Sequence, residues 1–97
     1  MIPKNIRHLG LVVSNLDNSI AFYRDVFGMQ VDSVKELKGD WISGVVGLKD
    51  VETRVAHLSF GSYVLELFEY IHPKGNERVV TRPNDVGNVH ISFGIVG

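Results

Sequence analysis

The hydrophobic pattern begins with a segment typical of a buried strand. Residues 6–13 carry apolar side chains on both faces. Alternation with a period of two places His8 and Gly10 on one face. Leu9 and Leu11 then point to the opposite face, so one side of this strand mixes an imidazole with a glycine while the other is purely aliphatic.

An amphipathic helix is predicted directly after this strand. Ser14 or Asn15 can cap its N-terminus, and Gly28 is well placed as a left-handed stop. The helix should be about eleven residues long, an average length. Its apolar stripe recurs at spacings of four, three and four residues and consists of Leu16, Ile20, Tyr23 and Phe27.

The following residues predict further strands, at 29–37, 51–60 and 63–71. Gly61-Ser62 is a good two-residue hairpin turn between the last two of them. Residues 38–50 are apolar but interrupted by glycines, which fits either a mobile flap over a ligand or an ordinary irregular connection.

Residues 88–96 predict a last strand, and this strand repeats the pattern of the first. Residues 88–93 and 6–11 share a His in the third position, followed by an aliphatic, a small and a large apolar residue. The sequence therefore predicts an α+β fold. We expect a βαβββ module at 1–72, a connector at 73–87 and the first strand of an incomplete second module at 88–97.

Composition indicates one small globular domain, or part of a slightly larger one. The chain has 97 residues, and its 44% hydrophobic and 22% charged residues are ordinary for folded domains. Ten basic and eleven acidic residues argue against a nucleic-acid partner, and no apolar run is long enough to span a membrane. No cysteine is present, so thiolate chemistry is excluded. Because no signal-peptide pattern precedes the first strand, we expect a cytoplasmic protein.

Three polar residues stand among apolar neighbours on the predicted strands. Glu66 lies in the middle of an apolar strand, where an unpaired carboxylate would cost several kcal/mol. Together with His8 and His90 it fits a divalent metal site with open coordination positions. The alternative is that each His is an ordinary half-exposed strand residue and that Glu66 faces solvent.

Other residues are candidates for the walls of the same pocket. Trp41, Phe68 and Tyr70 can form an apolar or stacking wall for a small molecule. His57 can approach the same cavity, where we expect it to support the site or line the pocket. Glu69 lies on the face opposite to the predicted site, and we expect a surface role for it.

Five segments together resemble the vicinal oxygen chelate superfamily. These are IRHLGLVVSNLD at 6–17, SIAFY at 19–23, VFGM at 26–29, VLELFEY at 64–70 and GNVHISF at 87–93. That superfamily includes glyoxalase I, methylmalonyl-CoA epimerase, extradiol dioxygenases, and the fosfomycin and bleomycin resistance proteins. The resemblance implies paired βαβββ modules that form a U-shaped sheet around a metal, with the helix on the outer face.

The resemblance also implies a set of metal ligands. His8 matches the ligand on the first strand, Glu66 the ligand on the fourth, and His90 the ligand that opens the second module. The metal would be zinc, nickel, cobalt, manganese or iron(II). The usual fourth ligand belongs to the last strand of the second module, so we expect either water in its place or a homodimer, with strand exchange as one way of pairing.

Glu66 decides which branch of the superfamily is expected. Members of the dioxygenase and fosfomycin type generally lack an acidic ligand on the fourth strand, whereas glyoxalase-like and epimerase-like members carry Glu or Gln there. The resemblance thus favours a lyase or isomerase in which Glu66 is also the catalytic base that moves a proton alpha to a carbonyl of a small oxygenated substrate. The alternatives are a non-catalytic small-molecule binding protein, a dioxygenase-like relative or an inactive fragment.

Overall fold

A mixed four-stranded sheet with two helices forms the fold, and the computed structural model describes residues 1–76 and 82–96 of the chain. Its elements in chain order are β1 Leu9–Val12, α1 Leu16–Asp25, β2 Gln30–Lys38, α2 Asp40–Val46, β3 Glu52–Phe60 and β4 Tyr63–His72. The strand order is β1-β4-β3-β2, with β1 parallel to β4 and the other pairs antiparallel. The predicted βαβββ arrangement is therefore confirmed. Residues 77–81 of the expected connector and Gly97 lie outside the described residues.

The first helix and the hairpin follow from local sequence signals, as predicted. Asn15 is the N-cap of α1, and its Oδ1 accepts a hydrogen bond from the Asn18 backbone N–H at 3.0 Å. Gly28 turns the chain after the helix with a φ of 67°. Gly61-Ser62 joins β3 to β4. Both turns are therefore encoded by residues within a few positions of them.

The hydrophobic core lies between α1 and one face of the sheet. Leu16 and Ile20 of the helix stripe are buried there, and Leu58 and Leu67 of the two central strands are fully buried beneath them. Burying a leucine side chain contributes about 1.5–3 kcal/mol each. This cluster lies on the helix-side face of the sheet, whereas the opposite face carries Glu66 and His57 among apolar residues such as Phe68.

Two elements differ from their predicted form. The glycine-rich segment expected to be a flap or an irregular connection contains α2, which ends at Gly47 in the left-handed conformation. The Ser43 hydroxyl accepts a hydrogen bond from the Val51 backbone N–H at 2.9 Å, which ties α2 to the chain just before β3. β1 is shorter than predicted, because its pairing with β4 begins only at Leu9 opposite Leu65.

Neither α1 nor α2, the helices in the described part of the chain, is long and apolar enough to cross a membrane.

The strand expected at 88–96 does not form within the described residues. A strand needs a backbone partner, and this segment is held instead by a side chain. The Phe93 ring lies 5.1 Å from the Phe27 ring and 5.9 Å from the Phe60 ring, measured between centroids. The assignment of 88–97 to a second module stays a prediction.

Candidate functional site

Glu66 occupies the centre of the sheet face that α1 does not cover. It lies opposite Gly10 of β1 on one side and His57 of β3 on the other. Its neighbours Leu65 and Leu67 point into the core, and the Glu66 side chain is only 15% exposed. A carboxylate this buried requires hydrogen-bond donors or a cation beside it.

His57 supplies the nearest donor to this carboxylate. Its Nε2 is hydrogen-bonded to Glu66 Oε2. Because a carboxylate oxygen accepts, the imidazole donates from Nε2. The two residues face each other directly in the antiparallel ladder of β3 and β4. They form its fourth residue pair, counted from the pair Phe60 and Tyr63 next to the turn. The contact therefore follows from the hairpin.

His8 approaches the other oxygen of the same carboxylate. Its Nε2 lies 3.4 Å from Glu66 Oε1, and its side chain is 43% exposed. His8 comes immediately before β1, two residues ahead of Gly10, and the parallel pairing of β1 with β4 brings it to Glu66. One buried carboxylate is thus flanked by two half-exposed imidazoles, one at each oxygen.

Two stacked aromatic rings continue this face along β4. Phe68 and Tyr70 are half-buried, and their ring centroids are 6.5 Å apart with an interplanar angle of 22°. A Cβ atom at Gly10 would lie 3.7 Å from the Phe68 ring, so the glycine leaves this part of the face open. The combination of a carboxylate, two imidazoles and an aromatic wall suits a small molecule with a polar and an apolar part.

Comparison with known proteins identifies the family of this chain. Residues 5–93 match the Glyoxalase/Bleomycin resistance protein/Dioxygenase superfamily. The chain belongs to this superfamily. The match covers both β1, which follows His8, and β4, which carries Glu66, and it agrees with the resemblance seen in the sequence.

Relatives of this glyoxalase superfamily chain are longer than the chain itself. The uncharacterized protein YwkD of Bacillus subtilis (strain 168) is 30% identical over 95 residues, which cover 96% of this chain and 62% of YwkD. A crystal structure of a glyoxalase family protein from Bacillus cereus matches with a TM-score of 0.72 and 23% identity, over 94% of this chain and 63% of that one. The crystal structure of SMU.1112c matches with a TM-score of 0.50 and 19% identity, over 93% and 59%. These two structures support the fold alone, and the chain spans about three fifths of the length of its relatives.

Two of the three predicted ligands, His8 and Glu66, have donor atoms that suit a divalent metal. Members of this superfamily commonly use divalent metals. Imidazole nitrogen and carboxylate oxygen, the donors of His8 and Glu66, suit zinc, cobalt, nickel, manganese or iron(II). Within residues 1–76 and 82–96, however, no group of three or more His, Asp or Glu side chains is arranged to hold a metal ion. The His8 and Glu66 pair is thus a partial donor set.

Two of the predicted site residues lie apart from this pair. His90 is exposed, and it makes no hydrogen bond or ion pair to any residue in the described ranges. Because 88–96 forms no strand beside β1, nothing brings His90 to Glu66. Trp41 lies on α2, which packs against β2, the edge strand farthest from β1, and it is 69% exposed.

Two charged residues have structural partners that sequence reasoning missed. Glu69 is half-buried, and its Oε1 accepts a hydrogen bond of 2.6 Å from the Leu16 backbone N–H at the start of α1. Arg54 donates a hydrogen bond to Asp17 of α1 at 3.1 Å, and this bond raises the pKa of Arg54 above its ordinary value. Both contacts join α1 to the sheet. They could not be predicted from local sequence patterns, because the partners are far apart in the chain.

Proposed function

We propose that this chain forms part of a metal-dependent lyase or isomerase that acts on a small oxygenated substrate. In this proposal His8 and Glu66 bind the metal, and His90 is the third ligand once its segment is placed against β1. The observation that carries the proposal is the largely buried Glu66 carboxylate, flanked by the imidazoles of His8 and His57 on the sheet face away from the helix. Family membership supports the same chemistry.

The proposed reaction depends on a proton transfer by Glu66. A bound divalent metal would polarise a substrate carbonyl. One Glu66 oxygen takes the proton from the carbon next to that carbonyl and returns it to the neighbouring carbon or to the opposite face, so the carboxylate is regenerated. Phe68 and Tyr70 hold the apolar part of the substrate.

We also propose that two copies of this chain pair as a homodimer. β1 is an edge strand, and its outer side has no ladder partner among the described residues. Val12 of β1 is 69% exposed and so is accessible to a partner at this edge. In this alternative to ligation by His90, a second copy at this edge would bring its own His8 and Glu66 to complete the donor set.

Metal content per chain tests the proposed function. Protein stripped of metal is refilled separately with zinc, nickel, cobalt, manganese or iron(II), and bound metal is measured beside His8→Ala and the control His72→Ala. One ion per chain, lost only in His8→Ala, supports a site within one chain. One ion per two chains supports a shared site. No stoichiometric metal with any of the five ions contradicts the proposal.

A second candidate function is the metal-free binding of a small molecule. The stacked pair of Phe68 and Tyr70 favours it, since aromatic walls bind planar ligands without any metal. Absence of metal in the measurement above, together with ligand binding that survives His8→Ala but not Phe68→Ala, would favour this function.

A further inference from the structure

We propose that His57 is a positioning residue that orients Glu66 for metal binding. It holds Oε2 by donating from Nε2, and so presents Oε1, the oxygen on the His8 side, to the metal. This inference rests on the proposed function and deepens it. It adds His57 of β3, which is not itself a proposed ligand, to the proposed metal site.

The backbone holds His57 at the right place for this role. His57 lies directly opposite Glu66 in the β3–β4 ladder, four pairs from the turn. Its chain neighbours Ala56 and Leu58 are fully buried, so the strand cannot shift without disrupting the core. The His57 backbone is therefore held directly opposite Glu66.

A glutamate needs such a partner because its terminal torsion is loosely constrained. Rotation about the last bond of Glu66 has broad minima, so an unsupported carboxylate can turn either oxygen or both toward a metal. A hydrogen bond to one oxygen selects a single orientation in advance. Loss of a hydrogen-bonding partner of a metal ligand typically lowers metal affinity about 10- to 100-fold.

The same contact argues against His57 as a metal ligand itself. Its Nε2 carries the proton that Glu66 Oε2 accepts, so the lone pair that a metal needs is not available at that nitrogen. His8 differs, because its Nε2 is 3.4 Å from Oε1, beyond the usual length of a hydrogen bond. The two imidazoles therefore have separate roles.

Cobalt(II) binding to the full chain tests the inference. Affinity is measured by competition with a chelator, and the visible absorption of the bound ion reports its ligands. The variants are His57→Ala, His57→Gln and His8→Ala, with His72→Ala as a control for loss of an exposed histidine. We expect His57→Ala to weaken binding about 10- to 100-fold with little change in the spectrum. His57→Gln should restore most of the affinity, because the amide N–H can also donate to Oε2.

Three results would overturn the positioning role. Equal weakening by His57→Ala and His57→Gln, with a changed cobalt spectrum, would make His57 a ligand. Wild-type affinity in His57→Ala, while His8→Ala loses the ion, would remove His57 from the site but leave the proposed function standing. Absence of cobalt binding by the wild-type chain, with none of the other four ions bound either, would contradict both. Urea unfolding of each variant separates loss of binding from loss of the fold.

Discussion

Glu66 and Glu69, three residues apart on β4, show how the same side chain serves two purposes on two faces of a sheet. Glu66 accepts from His57, a side chain that can change its partner when a substrate or metal arrives. Glu69 accepts from the Leu16 backbone N–H, which has no other partner at the start of a helix. A negative charge at a helix N-terminus also interacts favourably with the helix dipole. Glu69 is therefore structural, and Glu66 is the one suited to chemistry.

Removing the Glu69 carboxylate should destabilise the fold. We expect Glu69→Ala to lower the free energy of unfolding by about 1–3 kcal/mol, the usual effect of losing a charged hydrogen bond. Glu69→Gln keeps an acceptor oxygen and should lose less. Urea unfolding followed by circular dichroism measures both. Equal stability of Glu69→Ala and the wild type would show that solvent replaces this cap without cost.

At the scale of elements, the C-terminal segment is attached differently from the rest of the fold. β1 through β4 are joined by backbone ladders, whereas 88–96 depends on Phe93. The Phe93 ring lies in an aromatic cluster made of Phe22, Tyr23, Phe27, Phe60, Tyr63 and Phe93. This cluster joins the end of α1 to the β3–β4 turn. The Phe93 ring thus links residues 88–96 to the end of α1 and to the hairpin.

Truncation of Phe93 should detach the segment. We expect Phe93→Ala to lower the free energy of unfolding by about 1–3 kcal/mol, less than the loss for a fully buried phenylalanine, since Phe93 is only half-buried. Proteolytic cleavage within 88–96 should become faster. Val89→Ala, at a position that is 80% exposed, is the matched control. Unchanged stability and cleavage would mean that the ring contributes nothing to holding the segment.

At the scale of the whole molecule, the two faces of the sheet are covered unequally. α1 and the core close one face, while the side chains of Glu66, Phe68 and Tyr70 on the other face stay partly exposed. The chain spans 62% of the length of YwkD. The proposed second copy would pair along β1, at one side of this face.

Light scattering tests the proposed dimer. We expect a mass of about twice 10.8 kDa for the wild type. Val12→Asp introduces a charge at the proposed contact and should shift the protein to monomer, with a parallel loss of bound metal. Val86→Asp changes a valine that is still more exposed and lies outside β1, and should leave the dimer intact. A monomeric wild type with full metal content would contradict the proposed pairing.

Much of the fold and half of the site were predictable because their signals are local. The helix stripe and its Asn15 cap, the Gly61-Ser62 turn and the alternation within strands each involve residues a few positions apart. Alternation predicted that His8 lies on the face away from the helix, and in the structure its Nε2 is 3.4 Å from Glu66 Oε1. The two-residue turn also determines that His57 faces Glu66, although the sequence analysis did not carry the register that far.

The tertiary structure decided the contacts between distant parts of the chain. Glu69 caps α1 across 53 positions, and periodicity contains no information about such a pairing. His8 reaches Glu66 only because β1 pairs with β4 in one particular parallel register. Residues 88–96 have the pattern of a strand, but a strand exists only where backbone donors and acceptors find a partner. The periodicity of the sequence determines on which face of a strand or helix a side chain lies. Only tertiary packing determines which residues that face contacts.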